Sequence, residues 1–133
     1  MREIKFRAWN KIFKVMGDVS VLEWYKNSSI FAYIRANNSV SGFQTDATTV
    51  DEIVLMQYTG LKDKNGEEIY EGDILKVIVG NKYEYMEVYF KDGCFGWGKE
   101  HNGIYSFDPL DLEDIEVIGN IYENKELLNE NKK

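Results

Sequence analysis

A metal centre or a hydrolytic triad needs ligands or bases that converge, and this chain of 133 residues offers one histidine, His101, and one cysteine, Cys94. A closed zinc site within one subunit therefore lacks its ligands, and no metal is expected. A Ser-His-Asp arrangement would have to use His101, which lies in the polar string Lys99-Glu100-His101-Asn102-Gly103, and no serine stands in a Gly-x-Ser-x-Gly elbow. Cys94, between Gly93 and Phe95, reads as a small buried apolar residue of a strand, without the electropositive surroundings that make a reactive thiolate. Asp63-Lys64-Asn65-Gly66-Glu67-Glu68 has its glycine at position four, where a calcium loop needs it at six. The glycines of Gly93-Cys94-Phe95-Gly96-Trp97-Gly98 belong to no strand-turn-helix unit that would aim a helix N-terminus at a phosphate. Carboxylates abound, but a domain of net charge −7 must carry them, so their number does not mark a catalytic pair. No catalytic constellation and no cofactor are expected.

Binding chemistry is better represented. A small β-barrel that binds nucleic acid sets exposed aromatics beside cations on one strand face. Lys5, Arg7 and Trp9 meet that description at period two. Against it stands the overall field: 16 Lys and Arg against 23 Asp and Glu repel phosphate backbones, so nucleic acid is the alternative partner rather than the expected one. Tyr83, Tyr85 and Tyr89 share one face of a second run, and a stripe of that kind is core or an oligomer interface. Charge is also unevenly spread. Residues 1–14 hold Arg2, Lys5, Arg7, Lys11 and Lys14 against Glu3 alone, while Asp108, Asp111, Glu113, Asp114 and Glu116 follow one another with no basic residue between them. Each run is solvated surface by default, and together they would suit head-to-tail self-association.

The elements that must position these residues are strands. There is one proline, Pro109, and the β-branched and aromatic residues cluster in short runs. Ile4, Phe6 and Ala8 alternate with charged neighbours, the mark of a half-buried strand. Ile12 to Val15, Val19 to Tyr25 and Ile30 to Ile34 follow, with Gly17-Asp18 and Asn27-Ser28-Ser29 as expected turns. The polar stretch from 36 to 51 predicts a mobile loop or a weak edge hairpin. Ile53 to Tyr58 resumes strand character, and Asn65-Gly66 predicts a type I′ hairpin. Ile74 to Val79, a turn at Gly80-Asn81-Lys82, and Tyr83 to Phe90 form the longest pair. Cys94 to Trp97, Lys99 to Phe107 and Ile115 to Tyr122 complete five strands after residue 70, with Gly119 as a bend or bulge. Leu127 and Leu128 allow one or two helical turns near the end.

Three stretches carry wording as well as pattern: Arg2-Glu3-Ile4-Lys5-Phe6-Arg7-Ala8-Trp9, then Leu55-Met56-Gln57-Tyr58-Thr59-Gly60-Leu61-Lys62-Asp63-Lys64-Asn65-Gly66-Glu67-Glu68-Ile69-Tyr70-Glu71-Gly72-Asp73-Ile74, and Val117-Ile118-Gly119-Asn120-Ile121-Tyr122-Glu123-Asn124. In these the chain resembles the YopX family of phage and prophage proteins. The resemblance implies a mainly β protein encoded by a bacteriophage or an integrated prophage, with an SH3-like roll in its C-terminal part. The family has no established activity, so it lends no catalytic or binding residue.

The combined expectation is a mainly β chain: a small antiparallel barrel or roll, SH3-like in the C-terminal part, with an N-terminal β-hairpin lobe and a short C-terminal helix. It comprises one YopX-like domain over 1–128, with an N-terminal β lobe at 1–59 whose variable loop is 36–51, a roll at 60–122, and a disordered tail at 129–133. A lone cysteine and the absence of a signal-peptide core or a membrane-spanning run make a reducing cytoplasm, away from membranes, the expected setting, and the resemblance implies that of a bacterial host. The expected function is that of a phage accessory protein, non-enzymatic, that self-assembles or binds a host or phage protein. Candidate interface residues are Tyr83, Tyr85 and Tyr89, and the nucleic-acid alternative rests on Lys5, Arg7 and Trp9.

Overall fold

A computed structural model describes residues 3–24, 30–36, 44–49, 52–99, 102–106 and 113–129. Its elements are antiparallel strands and one short helix, arranged in two compact units, Glu3–Gln57 and Tyr58–Lys133.

In the first unit, β1 (Phe6–Asn10) lies between β2 (Val15–Trp24) and β5 (Ile53–Lys62), and β2 continues to β3 (Ile30–Ala36) and β4 (Gln44–Thr49). Ala8 and Ile53 are buried, with Val19, Leu22 and Leu55 packed against them. The expected turn at Gly17-Asp18 is instead the interior of β2, where Gly17 pairs with Ala8 on one side and Ala36 on the other. The reversal comes earlier, over residues 11–14, because Asn10 supplies it. Its Oδ1 accepts the amide N–H groups of Ile12 and Phe13, both at 2.9 Å, and its carbonyl accepts that of Lys14. This is side-chain turn chemistry in place of a glycine pair. It converts the expected strand start at Ile12-Phe13 into the tip of a hairpin. A register shift between Val19 and Val21 then turns the alternation over, which is why Leu22 packs inward and Val21 is exposed. The stretch from 36 to 51 contributes β4 as an edge strand against β3, the hairpin alternative; residues 37–43 and 50–51 lie outside the described residues.

In the second unit, β6 (Glu68–Tyr70) pairs with the end of β5, and β7 (Asp73–Val79), β8 (Lys82–Lys91), β9 (Cys94–Lys99) and β10 (Asn102–Ser106) form a meander. β11 (Ile115–Asn120) returns beside β7. The sheet order β10-β9-β8-β7-β11 leaves β10 and β11 as its edges, so the five expected strands make an open roll and not a closed barrel. The core is one face of this sheet: Leu75 and Val77 of β7, Met86 and Val88 of β8, Trp97 of β9 and Ile115 of β11, with Ile69. Helix α1 (Glu126–Asn129) lies against β8.

The type I′ turn stands elsewhere than expected. Asp92 and Gly93, both at positive φ, close the β8–β9 hairpin between the paired Lys91 and Cys94. Between β5 and β6 only Gly66 has positive φ, at 81°, and the loop is shaped by Asp63 instead. Cys94, expected to be buried, is exposed at this hairpin end, and its thiol donates to the Lys91 carbonyl at 3.4 Å.

Candidate functional site

Asp63, within the longest of the three sequence motifs, is buried and works as a hub. Its Oδ1 accepts the N–H groups of Asn65 (2.8 Å) and Glu67 (2.9 Å), and its Oδ2 accepts that of Val117 in β11, 54 residues on (2.9 Å). The Lys64 N–H donates to the Ile115 carbonyl, and Lys64 Nζ lies 3.5 Å from Glu116 Oε2. The loop thus occupies the outer edge of β11, which would otherwise offer unpaired backbone to another strand. Upstream, Thr59 donates its hydroxyl to the Ile69 carbonyl at 2.8 Å and accepts the Leu61 N–H, holding the bulged stretch around Gly60. Asp73 accepts the Tyr70 N–H at 2.7 Å and closes the turn into β7. The last motif has its own hub: Asn120 Oδ1 accepts the N–H groups of Tyr122 and Glu123, and Asn124 Oδ1 accepts that of Asn120. Gly119 is required there, because a Cβ would stand 2.5 Å from Asn124 Oδ1. These motif residues are spent on turns and edges, so their chemistry is that of folding.

The aromatic candidates lie on the sheet face opposite the core. Two-residue alternation that points Leu75, Val77, Met86 and Val88 inward points Lys76, Ile78, Tyr83, Tyr85 and Tyr89 outward. Register pairs Lys76 with Tyr85 and Ile78 with Tyr83. Burial is graded along β8: Tyr83 is 53% exposed, Tyr85 half-buried, and Tyr89 buried. Lys76 Nζ sits 4.3 Å from the Tyr83 ring centroid, and the Tyr83 and Tyr85 rings are 5.7 Å apart in a tilted pair. The Lys76 cation and the Tyr85 ring both pack against Tyr83. With Ile78, also 53% exposed, it forms an apolar patch at the turn end of the β7–β8 hairpin. Glu113 and Asp114, both exposed, directly precede Ile115, whose register partner is Val77, so these carboxylates border the Ile78 end of β7.

Of the three tyrosines singled out from sequence, the structure presents Tyr83 most fully. Lys76 and Ile78 were missed, although the same alternation on β7 carries them. In the other candidate trio, Arg7 and Trp9 lie half-buried on one face of β1, a central strand flanked by β2 and β5. Lys5 precedes the strand, and its Nζ is 3.1 Å from Glu3 Oε1. His101, Asp108 and Asp111 lie outside the described residues.

A family model described as YopX protein matches residues 5–129. Among solved structures, the chain is similar to protein EF1440 from Enterococcus faecalis, with 32% identity over 96% of this chain and 99% of that one and a TM-score of 0.70. It is also similar to protein yopX from Bacillus subtilis, with 22% identity over 93% and 97% of the two chains and a TM-score of 0.65. No curated protein matches the chain.

Proposed function

The chain belongs to the YopX family, and from that premise we propose that it is a non-enzymatic interaction module of phage or prophage origin. It works in the bacterial cytoplasm by binding a protein surface, either another copy or a host or phage protein. The observation that carries this reading is the patch of Ile78 and Tyr83, two large apolar side chains more than half exposed, one packed against a lysine, on a sheet whose other face is the core. Exposed aromatics of fixed rotamer are the usual anchors of protein interfaces, because little side-chain entropy is lost when they dock. Among the described residues no helix is long and apolar enough to cross a membrane.

The test is affinity capture from lysate of a strain carrying the protein, with and without nuclease, comparing the wild-type chain with Tyr83→Ser. A protein recovered by wild type, resistant to nuclease and lost with Tyr83→Ser, supports the reading; a mass above the monomer in solution that Tyr83→Ser abolishes supports its self-association form. Recovery of nucleic acid, with protein partners lost after nuclease, replaces it with the nucleic-acid alternative on Lys5, Arg7 and Trp9.

A further inference from the structure

The hairpin between β1 and β2 ends in Lys11-Ile12-Phe13-Lys14, where Ile12 is 60% and Phe13 63% exposed and both lysines are exposed. Large apolar side chains at a turn are unusual, and this turn is held firmly. Asn10 accepts the Ile12 and Phe13 N–H groups, the Lys14 N–H donates to the Asn10 carbonyl, and the Lys11 N–H donates to the Glu52 carbonyl. Lys14 takes a positive φ of 55° to close it, a conformation that costs energy in any residue but glycine or asparagine. The tip is therefore a preformed apolar pair between two cations.

The Ile78–Tyr83 patch offers an apolar pair with Lys76 over Tyr83 on one side and Glu113 and Asp114 beside the Ile78 end of β7 on the other. The two features stand on different units, and the units differ in charge: residues 1–57 carry seven Lys and Arg against six Asp and Glu, while residues 58–133 carry nine against 17. Net charge is thus +1 on the first stretch and −8 on the second. Both features are exposed within the chain. Lys11 and Lys14 flank the apolar pair, so the local charge of the tip favours an acidic protein surface.

We propose that the Lys11–Lys14 tip of one copy docks on the Ile78–Tyr83 patch of a second copy, with Lys11 and Lys14 facing Glu113 and Asp114. This deepens the interaction-module reading, on which it rests, by naming the partner as the same chain. The contact joins two different surfaces, so each copy keeps one free tip and one free patch. Repetition gives a ring if the rotation closes and a filament if it does not.

The experiment is sedimentation or light scattering on the full chain, with two double variants and their mixture. Wild type is expected above monomer mass, with dissociation promoted by salt, since exposed charge pairs are screened as the Debye length falls from about 8 Å at 0.15 M to about 3 Å at 1 M. Ile12→Ser/Phe13→Ser removes the tip and Ile78→Ser/Tyr83→Ser removes the patch; each is expected to be monomeric, with association at least about tenfold weaker than wild type. Mixed, they are expected to form a one-to-one dimer, because one intact tip meets one intact patch. Lys11→Glu/Lys14→Glu, a second disruption of the tip, should be rescued by mixing with Glu113→Lys/Asp114→Lys. A monomeric wild type at concentrations on the order of 100 µM overturns the proposal. So does a mixture in which neither the apolar nor the charge pair restores a dimer. In either case, Tyr83-dependent capture of a different protein would still uphold the broader reading.

Discussion

Replacing Asp63 by alanine should destabilise the Tyr58–Lys133 unit by about 3 kcal/mol, a cost assembled from three hydrogen bonds that one buried carboxylate accepts. A bond to a charged acceptor contributes about 1.5–3 kcal/mol where its donor is left without a replacement, and less where water takes over. Asn65 and Glu67 are exposed, so their N–H groups rehydrate and losing the two contacts costs about 0.5 kcal/mol each. The Val117 N–H lies in a half-buried strand whose other neighbour is β7, and losing its acceptor costs about 2 kcal/mol. Asp63→Asn separates the two parts: its remaining oxygen still serves Asn65 and Glu67, while the amide presents a donor to the Val117 donor. The expected order of stability is wild type, then Asp63→Asn about 2 kcal/mol lower, then Asp63→Ala about 3 kcal/mol lower. Urea unfolding followed by circular dichroism reads these values, with slope unchanged, and the alanine variant should melt about 10 °C earlier. Amide exchange at Val117 gives the local check and should rise in both variants. A loss below about 1 kcal/mol for Asp63→Ala, or an asparagine variant as stable as wild type, would refute the hub as the tie between this loop and β11.

Other positions give expectations of the same kind. Gly119→Ala should cost about 1–3 kcal/mol because its Cβ displaces Asn124, and much of that cost should vanish in an Asn124→Gly background, which removes the Asn124 Cβ as well, a non-additivity that a double-mutant cycle in urea measures. Lys14→Gly should raise stability to urea by about 0.5–1 kcal/mol by relieving a positive φ, while weakening self-association through the lost cation, so that the two readouts move in opposite directions. Leu75→Ala, at a fully buried core position, should cost about 2–5 kcal/mol in the same urea assay, whereas Ile78→Ala two strand positions beyond its neighbour Lys76 should stay within about 0.5 kcal/mol.

Local pattern determined most of the secondary structure. Alternation between Leu75 and Phe90 specifies two strands and which residues face inward, because a two-residue period is a property of any extended backbone and does not wait for a partner. A bulge beside Gly119, five strands after residue 70 and a short helix at Leu127-Leu128 were legible for the same reason, as was the family, from three runs of wording. The turn at Asn65-Gly66 was legible in place though not in type, and the one expected at Gly17-Asp18 was misplaced because Asn10 makes the reversal earlier. Asn10 and Asp63 build their turns from carbonyl and carboxylate oxygens, and whether such an oxygen faces its own backbone is settled only when the flanking strands pair. Exposure was the quantity the sequence could not carry. Tyr83 and Tyr89 occupy equivalent places in the alternation, yet one is exposed and the other buried, because burial depends on what packs over each point of the sheet. Cys94 and Phe13 are exposed because each falls at a hairpin end, past the last inward-facing pair. The sequence alone thus determined the strands and the separation of charge along the chain. The tertiary structure decided which apolar side chains remain in water and which carboxylates border them, since that depends on neighbours brought together from distant parts of the chain.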